Sequence, residues 1–355
     1  MRAVRWHARG DVRLEEVPDA PAPRAGEVRL AVSWCGICGT DVEEYTIGPL
    51  LIPVDVPNRL TGAQAPLTLG HELSARVVDV GADVRSLAVG DLVAVDGITA
   101  CGHCWWCRRN QATLCPDMAN IGLMFDGGLA DRVTVAASTC VRVPDGVPDD
   151  AAALAEPVSV AVRALRRGRL SLGERVVVLG AGTIGLLAVQ VARAAGAAEV
   201  MAVDPVASRR AAALHLGATA ALEPGDDLCD RLRDREGVGP DLAVDATGRP
   251  EGPAVAATVV RQGGRAVVVA LPTGRTTLDA LRLVLSEVEL IGSLSHVYDE
   301  DFRAAVALIA DGRIDVRSLI TDRIPLSAAV DRGLHRLLSP ERGDVLKILV
   351  GPALG

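Results

Sequence analysis

Val176-Val-Val-Leu-Gly180-Ala-Gly182-Thr183-Ile184-Gly185 runs from a short apolar segment through three glycines into an Ala/Leu-rich segment. The apolar residues suit a buried strand and the Ala/Leu run a helix. Between them Gly180 permits the tight turn, Gly182 lets backbone approach a pyrophosphate, and Gly185 lets the helix pack on the strand. The helix N-terminus, opened by Thr183 and Ile184, then turns its free N–H groups toward phosphate. Such a triplet is weak evidence alone. Here a second apolar strand, Val200–Val203, ends at Asp204, where a carboxylate can accept both hydroxyls of a ribose. The pair implies a bound dinucleotide. Asp204 would repel a 2′-phosphate and so favours NAD over NADP, a preference that Arg209 and Arg210 nearby oppose.

From about Ala151 the same texture repeats. Strand candidates at Val176–Leu179, Val200–Val203, Leu242–Asp245, Ala266–Ala270 and Val288–Ile291 alternate with helix candidates at Ile184–Ala195, Ser208–Leu216 and Pro253–Arg261. This is the pattern of βαβ units around a parallel sheet. The uncharged run Val176–Ala192 approaches a bilayer's span, but its glycines and the following Arg193 suit a buried strand, turn and helix. The first 150 residues read differently. Short alternating runs at Val28–Trp34, Ser74–Val80 and Leu129–Val135, separated by Gly, Pro and Asp turns, predict a strand-and-loop domain. After Gly292 the sequence predicts helices near Asp301–Ala310 and Leu326–Leu338 and a strand at Val345–Val350, a tail short for an independent domain.

Composition bounds the function. The 355 residues carry Lys+Arg 37 against Asp+Glu 45, a net charge of −8, which disfavours nucleic acid as a partner. A 49% hydrophobic, 23% charged chain of this length predicts a large core divided into two domains. Met1–Gly10 is followed by acidic residues instead of an apolar run, so a cytoplasmic protein without a membrane partner is expected. Lys347 is the single lysine beside thirty-six arginines, which reads as a base-composition bias.

Eight cysteines carry the next signal. Cys101-x2-Cys104-x2-Cys107-x7-Cys115 is a compact four-thiol lobe, with Gly102 and His103 allowing a tight turn. Four thiolates close a tetrahedral shell around Zn²⁺ and leave no place for substrate, so the lobe predicts a structural zinc; an iron–sulfur cluster uses similar ligands. A second set is dispersed: Cys35-Gly-Ile-Cys38-Gly-Thr40-Asp41, Gly70-His71-Glu72 and Ala155-Glu156-Pro157. These residue types suit an open catalytic zinc site. By spacing alone Cys35 and Cys38 also suit buried apolar positions, His71 a satisfied core histidine and Glu156 a helix-start carboxylate.

Taken together and in this order, these motifs resemble those of the zinc-dependent medium-chain alcohol and polyol dehydrogenases, from the N-terminus to the last strand. The resemblance implies an α/β fold in which a GroES-like β-barrel catalytic domain (1–151 and 295–355) receives an inserted Rossmann NAD-binding domain (152–294). It implies two Zn²⁺ per chain. Cys38 and His71 become ligands of the catalytic zinc, Glu72 and Glu156 carboxylates that approach it directly or through water, and Cys35 a neighbour that binds no metal. Asp41 resembles a partner of the ligand shell and Thr40 the hydroxyl that takes the substrate's proton. The long insertion from Glu44 to Gly70, with Ser318–Arg323 and Leu346–Val350, resembles the butanediol dehydrogenase branch, which implies a vicinal diol oxidised with NAD and the reverse reduction of an acyloin or diketone. Sorbitol, threonine and aminocyclitol dehydrogenases share that chemistry. A zinc-free quinone reductase, or a zinc- or nucleotide-binding protein without activity, is the rival from another class. Relatives form dimers or tetramers, and Val288–Leu294 resembles their pairing edge. One departure is Glu43, which stands where many relatives carry the histidine that ends the proton relay. A carboxylate there, with a reference pKa of about 4.3 against about 6.5, would change the relay's pH dependence; a solvated loop residue with water ending the relay is the alternative.

Overall fold

The computed structural model describes residues 1–272, 274–339 and 343–351. The chain forms two compact units: Met1–Glu156 with Val297–Ala310 and the segment from Val316 onward, and Pro157–His296 with Asp311–Asp315. The divisions therefore fall a few residues beyond those expected at 151 and 294, and a short return, Asp311–Asp315, joins the second unit.

In the first unit a seven-stranded sheet runs Cys140–Arg142, Leu92–Val95, Glu72–Val80, Glu27–Gly36, Lys347–Gly351, Ile320–Pro325, with Arg132–Ala136 also pairing Glu27–Gly36. A three-stranded sheet holds Asp11–Glu16, Arg2–Ala8 and Leu67–Thr68. Their inward residues, among them Trp6, Leu30, Leu67, Leu73 and Val133, form one core. The C-terminal strand is antiparallel to the strand that leads to Cys38, with Leu349 opposite Gly36, and parallel to Ile320–Pro325. The short tail is thus built into the first half's sheet and needs no core of its own. Ile320–Pro325 carried no strand expectation.

The second unit is a six-stranded parallel sheet in the order Ala220–Leu222, Glu199–Val203, Arg175–Leu179, Leu242–Asp245, Arg265–Val268, Glu289–Gly292. Counted along the chain this is 3-2-1-4-5-6, the doubly wound order in which ligands bind beyond the strands' carboxyl ends where the winding reverses, here between Arg175–Leu179 and Leu242–Asp245. The uncharged run becomes the strand Arg175–Leu179 and the helix Thr183–Ala194, whose residues Gly185–Ala192 are all buried. No helix among the described residues is long and apolar enough to cross a membrane.

Two helix expectations change. The tail's Leu326–Leu338 is a 3₁₀ turn (Leu326–Ala328), a π turn (Ala329–Leu334) and one α turn (His335–Leu338). The wider winding brings Ala329, Gly333 and Leu334 inward together, with Gly333 packed so closely on Ile37 that a Cβ would collide. Likewise the α-helix Arg303–Ala310 starts after a π turn, Tyr298–Phe302, in which Asp301 accepts the Val297 N–H at 2.8 Å.

Candidate active site and metal centres

Cys38 ends the strand-to-helix turn ahead of the helix Gly39–Thr46, and its N–H donates to Asp41 Oδ2 at 2.8 Å. That bond fixes the first helical turn and turns Asp41 inward, where it is fully buried. His71 follows Gly70, a residue at φ +98° whose Cβ would strike Cys35 Sγ and the Leu129 backbone, so only glycine admits the turn that points His71 inward. Ligand atoms of Cys38, His71 and Glu72 lie within 4.8 Å of one another. Thr40 Oγ1 is 3.8 Å from Cys38 Sγ.

The electrostatics of this cluster call for a cation. Asp41 Oδ1 and His71 Nδ1 face each other at 3.7 Å, both buried and neither with a hydrogen-bond partner. Burial disfavours a charged His71 ring, yet Asp41, Cys38 and Glu156 outweigh it and carry its pKa well above the ordinary histidine value. Burial also raises the Asp41 pKa, against the pull of His71 and the Cys38 N–H. A divalent ion among these donors would answer the same charge that here favours a proton on His71, so the residues fit a catalytic metal.

Glu72 and Glu156 differ in placement. Glu72 is buried and accepts from Lys347 Nζ through both oxygens, at 2.8 and 2.7 Å. Glu156, in the first turn of the helix Ala155–Arg167, is buried and influences His71 and Lys347, but lies outside the three-residue cluster. Glu43 is half-buried one turn after Thr40; burial and Glu44 raise its pKa. Cys35 sits in the core, its thiol pKa pushed well up by burial, with Asp41 and Glu72 adding to the rise. Lys347 is the participant that the sequence reading passed over. Its only signal was being the one lysine.

The four-cysteine lobe gathers Cys101, Cys104, Cys107 and Cys115 within 4.8 Å. Cys104 and Cys107 sulfurs are 3.4 Å apart and Cys101 and Cys107 3.9 Å. A tetrahedral ZnS₄ shell with Zn–S near 2.3 Å has edges of about 3.8 Å, so the lobe fits zinc. The Cys107 N–H donates to Cys104 Sγ, and the Cys104 pKa falls to about 7. Gly102 (φ +77°) and Asn110 (φ +55°) make the tight turns. His103 binds the Cys101 carbonyl oxygen and stands outside the group.

In the parallel sheet Gly180 has φ +88°, and a Cβ on Gly185 would strike the Gly180 carbonyl oxygen. Gly182, which precedes the helix carrying Thr183 and Ile184, faces open space. Asp204 is 3% exposed, with Oδ2 accepting from Ala181 N–H and Oδ1 from Val206 N–H, both at 2.8 Å. It therefore braces the glycine turn, and each oxygen keeps a lone pair for a ribose hydroxyl. Arg209 is partly buried with no partner for its Nε, while Arg210 donates to the carbonyls of Asp204 and Pro205.

Two family models match: the alcohol dehydrogenase GroES-like domain over residues 24–145 and the zinc-binding dehydrogenase domain over 183–311. The chain belongs to the zinc-binding dehydrogenase family. More particularly, it is 35% identical to (R,R)-butanediol dehydrogenase of Bacillus subtilis over 99% of this chain and 100% of that one. It is 31% identical to sorbitol dehydrogenase of Bombyx mori over 97% and 96%. The crystal structure of 2R,3R-butanediol dehydrogenase from Bacillus subtilis superposes with a TM-score of 0.91 at 34% identity, covering 99% of each chain. The expected GroES-like and Rossmann fold, and an enzyme of the zinc alcohol and polyol dehydrogenase class, are thereby established.

Proposed function

We propose that this enzyme oxidises one secondary hydroxyl of a vicinal diol such as 2,3-butanediol, with NAD as acceptor, and in reverse reduces an acyloin or diketone. One observation carries the reading: a partly exposed Cys38 converges with the buried His71 and Glu72 beside the Thr40 hydroxyl, in a chain similar along 99% of its length to a butanediol dehydrogenase. Cys38 and His71, completed by Glu72 or Glu156, would hold the catalytic zinc, and the four-cysteine lobe a structural one. Zinc so held supplies a Lewis acid that lowers the pKa of an alcohol hydroxyl, and NAD supplies the hydride acceptor.

The chain's own work is positioning and proton transfer. Asp41, buried 3.7 Å from His71 Nδ1, sets a negative charge beside the His71 ring. Thr40 takes the substrate hydroxyl's proton and hands it toward Glu43, one turn along the same helix and half exposed to solvent. Asp204 holds the ribose, Arg209 flanks it, and the open face at Gly182 admits the pyrophosphate. The four cysteines of the lobe suit a cytoplasmic protein, where thiols stay reduced. The helix Ala280–Leu285 exposes Leu281, Val284 and Leu285 beside the edge strand Glu289–Gly292, which supports pairing with a second copy of the chain.

The test is NADH formation with the separate 2,3-butanediol stereoisomers, sorbitol, threonine and an aminocyclitol, each with NAD and NADP. The highest kcat/KM is expected for a butanediol isomer with NAD. A higher value for sorbitol would move the substrate to the polyol branch, and unchanged NAD kinetics in Asp204→Ser would contradict the ribose contact.

A further inference from the structure

The parallel sheet has a second end, opposite the glycine turn and Asp204. Where the chain enters the strands Leu242–Asp245, Arg265–Val268 and Glu289–Gly292, residues 237–239, 261–262 and 286 join Cys229 and the end of the helix Gly252–Val259 around a cavity of about 400 Å³. That volume is ordinary for a small-molecule site. Gly239 permits the close approach of loop to helix, since a Cβ there would strike the Val259 carbonyl oxygen.

Three guanidiniums line this cavity, those of Arg233, Arg261 and Arg282, together with the hydroxyls of Thr258 and Ser286. No carboxylate lines it, in a chain whose acids outnumber its bases and whose net charge is −8. Each guanidinium is steadied by a neighbour. Arg261 Nε donates to Asp241 Oδ1 at 2.6 Å and its Nη1 to the Gln262 carbonyl at 2.8 Å, Arg233 Nη1 donates to Asp230 Oδ1 at 3.0 Å, and Arg282 Nη2 donates to the Thr258 carbonyl at 2.6 Å. These contacts use one or two of the five N–H donors that each guanidinium carries, and the others stay available to a ligand. Asp230 and Asp241 balance two of the charges, whereas Arg282 meets no carboxylate among the described residues. Asp234 is committed elsewhere, to the N–H groups of Glu236 and Val238 and to Arg175 at 3.6 Å. An excess of positive charge with unused planar donors is the chemistry that recognises phosphate through paired N–H···O bonds.

The neighbouring apolar stripe is a different surface. On the helix Ala280–Leu285 the cavity takes Arg282 and, one turn on, Ser286, while Leu281, Val284 and Leu285 lie on another face. The residues that support pairing of two copies are therefore not those that face the cavity.

We propose that this cavity is a further ligand site, at the end of the sheet away from the dinucleotide, and that it takes a small phosphate-bearing anion with Arg282 as its principal contact. The Thr258 hydroxyl donates to the Ala254 carbonyl at 2.8 Å and keeps acceptor capacity, and the Ser286 hydroxyl offers either role, so a phosphate ester with hydroxyls of its own is matched as well as a free anion.

Titration calorimetry tests this on enzyme kept saturated with NADH, which excludes phosphate from the dinucleotide site. Inorganic phosphate, pyrophosphate and glucose 6-phosphate are compared with sodium chloride at matched ionic strength. One saturable site per chain is expected, and the tightest of the three ligands tells a free anion from an ester. Arg282→Gln should weaken that ligand by about ten- to a hundred-fold, the worth of a hydrogen bond to a charged group, with kcat and melting temperature unchanged. The ligand should also slow alkylation of Cys229, read by peptide mass, because this partly exposed thiol lines the cavity. Absence of saturable binding, an affinity that Arg282→Gln leaves as it was, or binding that leaves Cys229 unprotected overturns the inference. Should Arg282→Gln shift the melting temperature, Arg233→Gln repeats the comparison at a more exposed guanidinium, with a loss of a few-fold expected and an unchanged affinity counting against the site.

Discussion

The four-cysteine lobe and the Cys38–His71 cluster lie in the same unit and solve the same problem in opposite ways. The lobe offers four like donors from fifteen consecutive residues, three of them only half-buried, and its geometry follows from two short 3₁₀ turns and two left-handed residues. The Cys38–His71–Glu72 cluster would take unlike ligands from segments far apart in the chain, with Asp41, Glu156 and Lys347 buried around it. Four equal thiolates saturate a metal and leave it inert, whereas a mixed shell with an open position depends on the charged groups around it. The lobe is a local staple; the cluster is a product of the whole sheet.

Removing one sulfur from each centre is the sharpest way to break this comparison. Cys38→Ser should cut kcat by on the order of a thousand-fold, since the Lewis-acid contribution is worth several kcal/mol of barrier. Metal content should fall from two ions per chain to one, and the melting temperature should change little. Metal analysis beside NADH formation checks both, and a Cys38→Ser enzyme with near wild-type kcat would remove the cluster from catalysis. Cys104→Ser should do the reverse. It should destabilise the lobe by several kcal/mol, as loss of a structural zinc does, and lower the melting temperature, while kcat per folded molecule stays within a few-fold. A large kcat loss in a lobe that still melts normally would show that the two centres are not independent.

The same contrast explains what could be read in advance. The lobe needed only spacing, because its ligands are neighbours in sequence and the turn residues lie between them. The parallel sheet was equally plain, since its apolar strands and alanine-rich helices each carry their own periodicity, and Leu242–Asp245 has the bounds read from the pattern. The dispersed cluster was not legible from spacing. Cys35 and Cys38 look alike until one is seen in the core and the other at a helix start, and only the family resemblance separated them. Lys347 was missed for a further reason. Its partner is 275 residues away and becomes adjacent only when the last strand joins the first half's sheet, a pairing that no local pattern encodes. The tail's irregular turns escaped for the same cause: the π turn at Ala329–Leu334 answers to packing against Ile37, and the local hydrophobic pattern there is that of an ordinary helix.

The smallest expected effect tests the relay beside the cluster. Glu43 accepts a proton only when ionised, and burial together with Glu44 raises its pKa above the usual glutamate range. The acid side of the kcat profile should therefore rise at a pH above that range, and Glu43→Gln should remove that ionisation from the profile while lowering kcat at neutral pH by a few-fold, within the span that proton-transfer groups contribute. The stability sign is opposite to that of a salt-bridged acid. A carboxyl whose folded pKa is raised favours its protonated form, so folding loses stability as pH climbs from the unfolded pKa through the folded one, and the neutral amide escapes that loss. Glu43→Gln should thus melt at the same temperature as wild type or slightly higher at neutral pH, with the difference vanishing in acid. A kcat profile with its acid limb unmoved would assign the last step of the relay to water, and would place the cluster's pH dependence in the groups around His71.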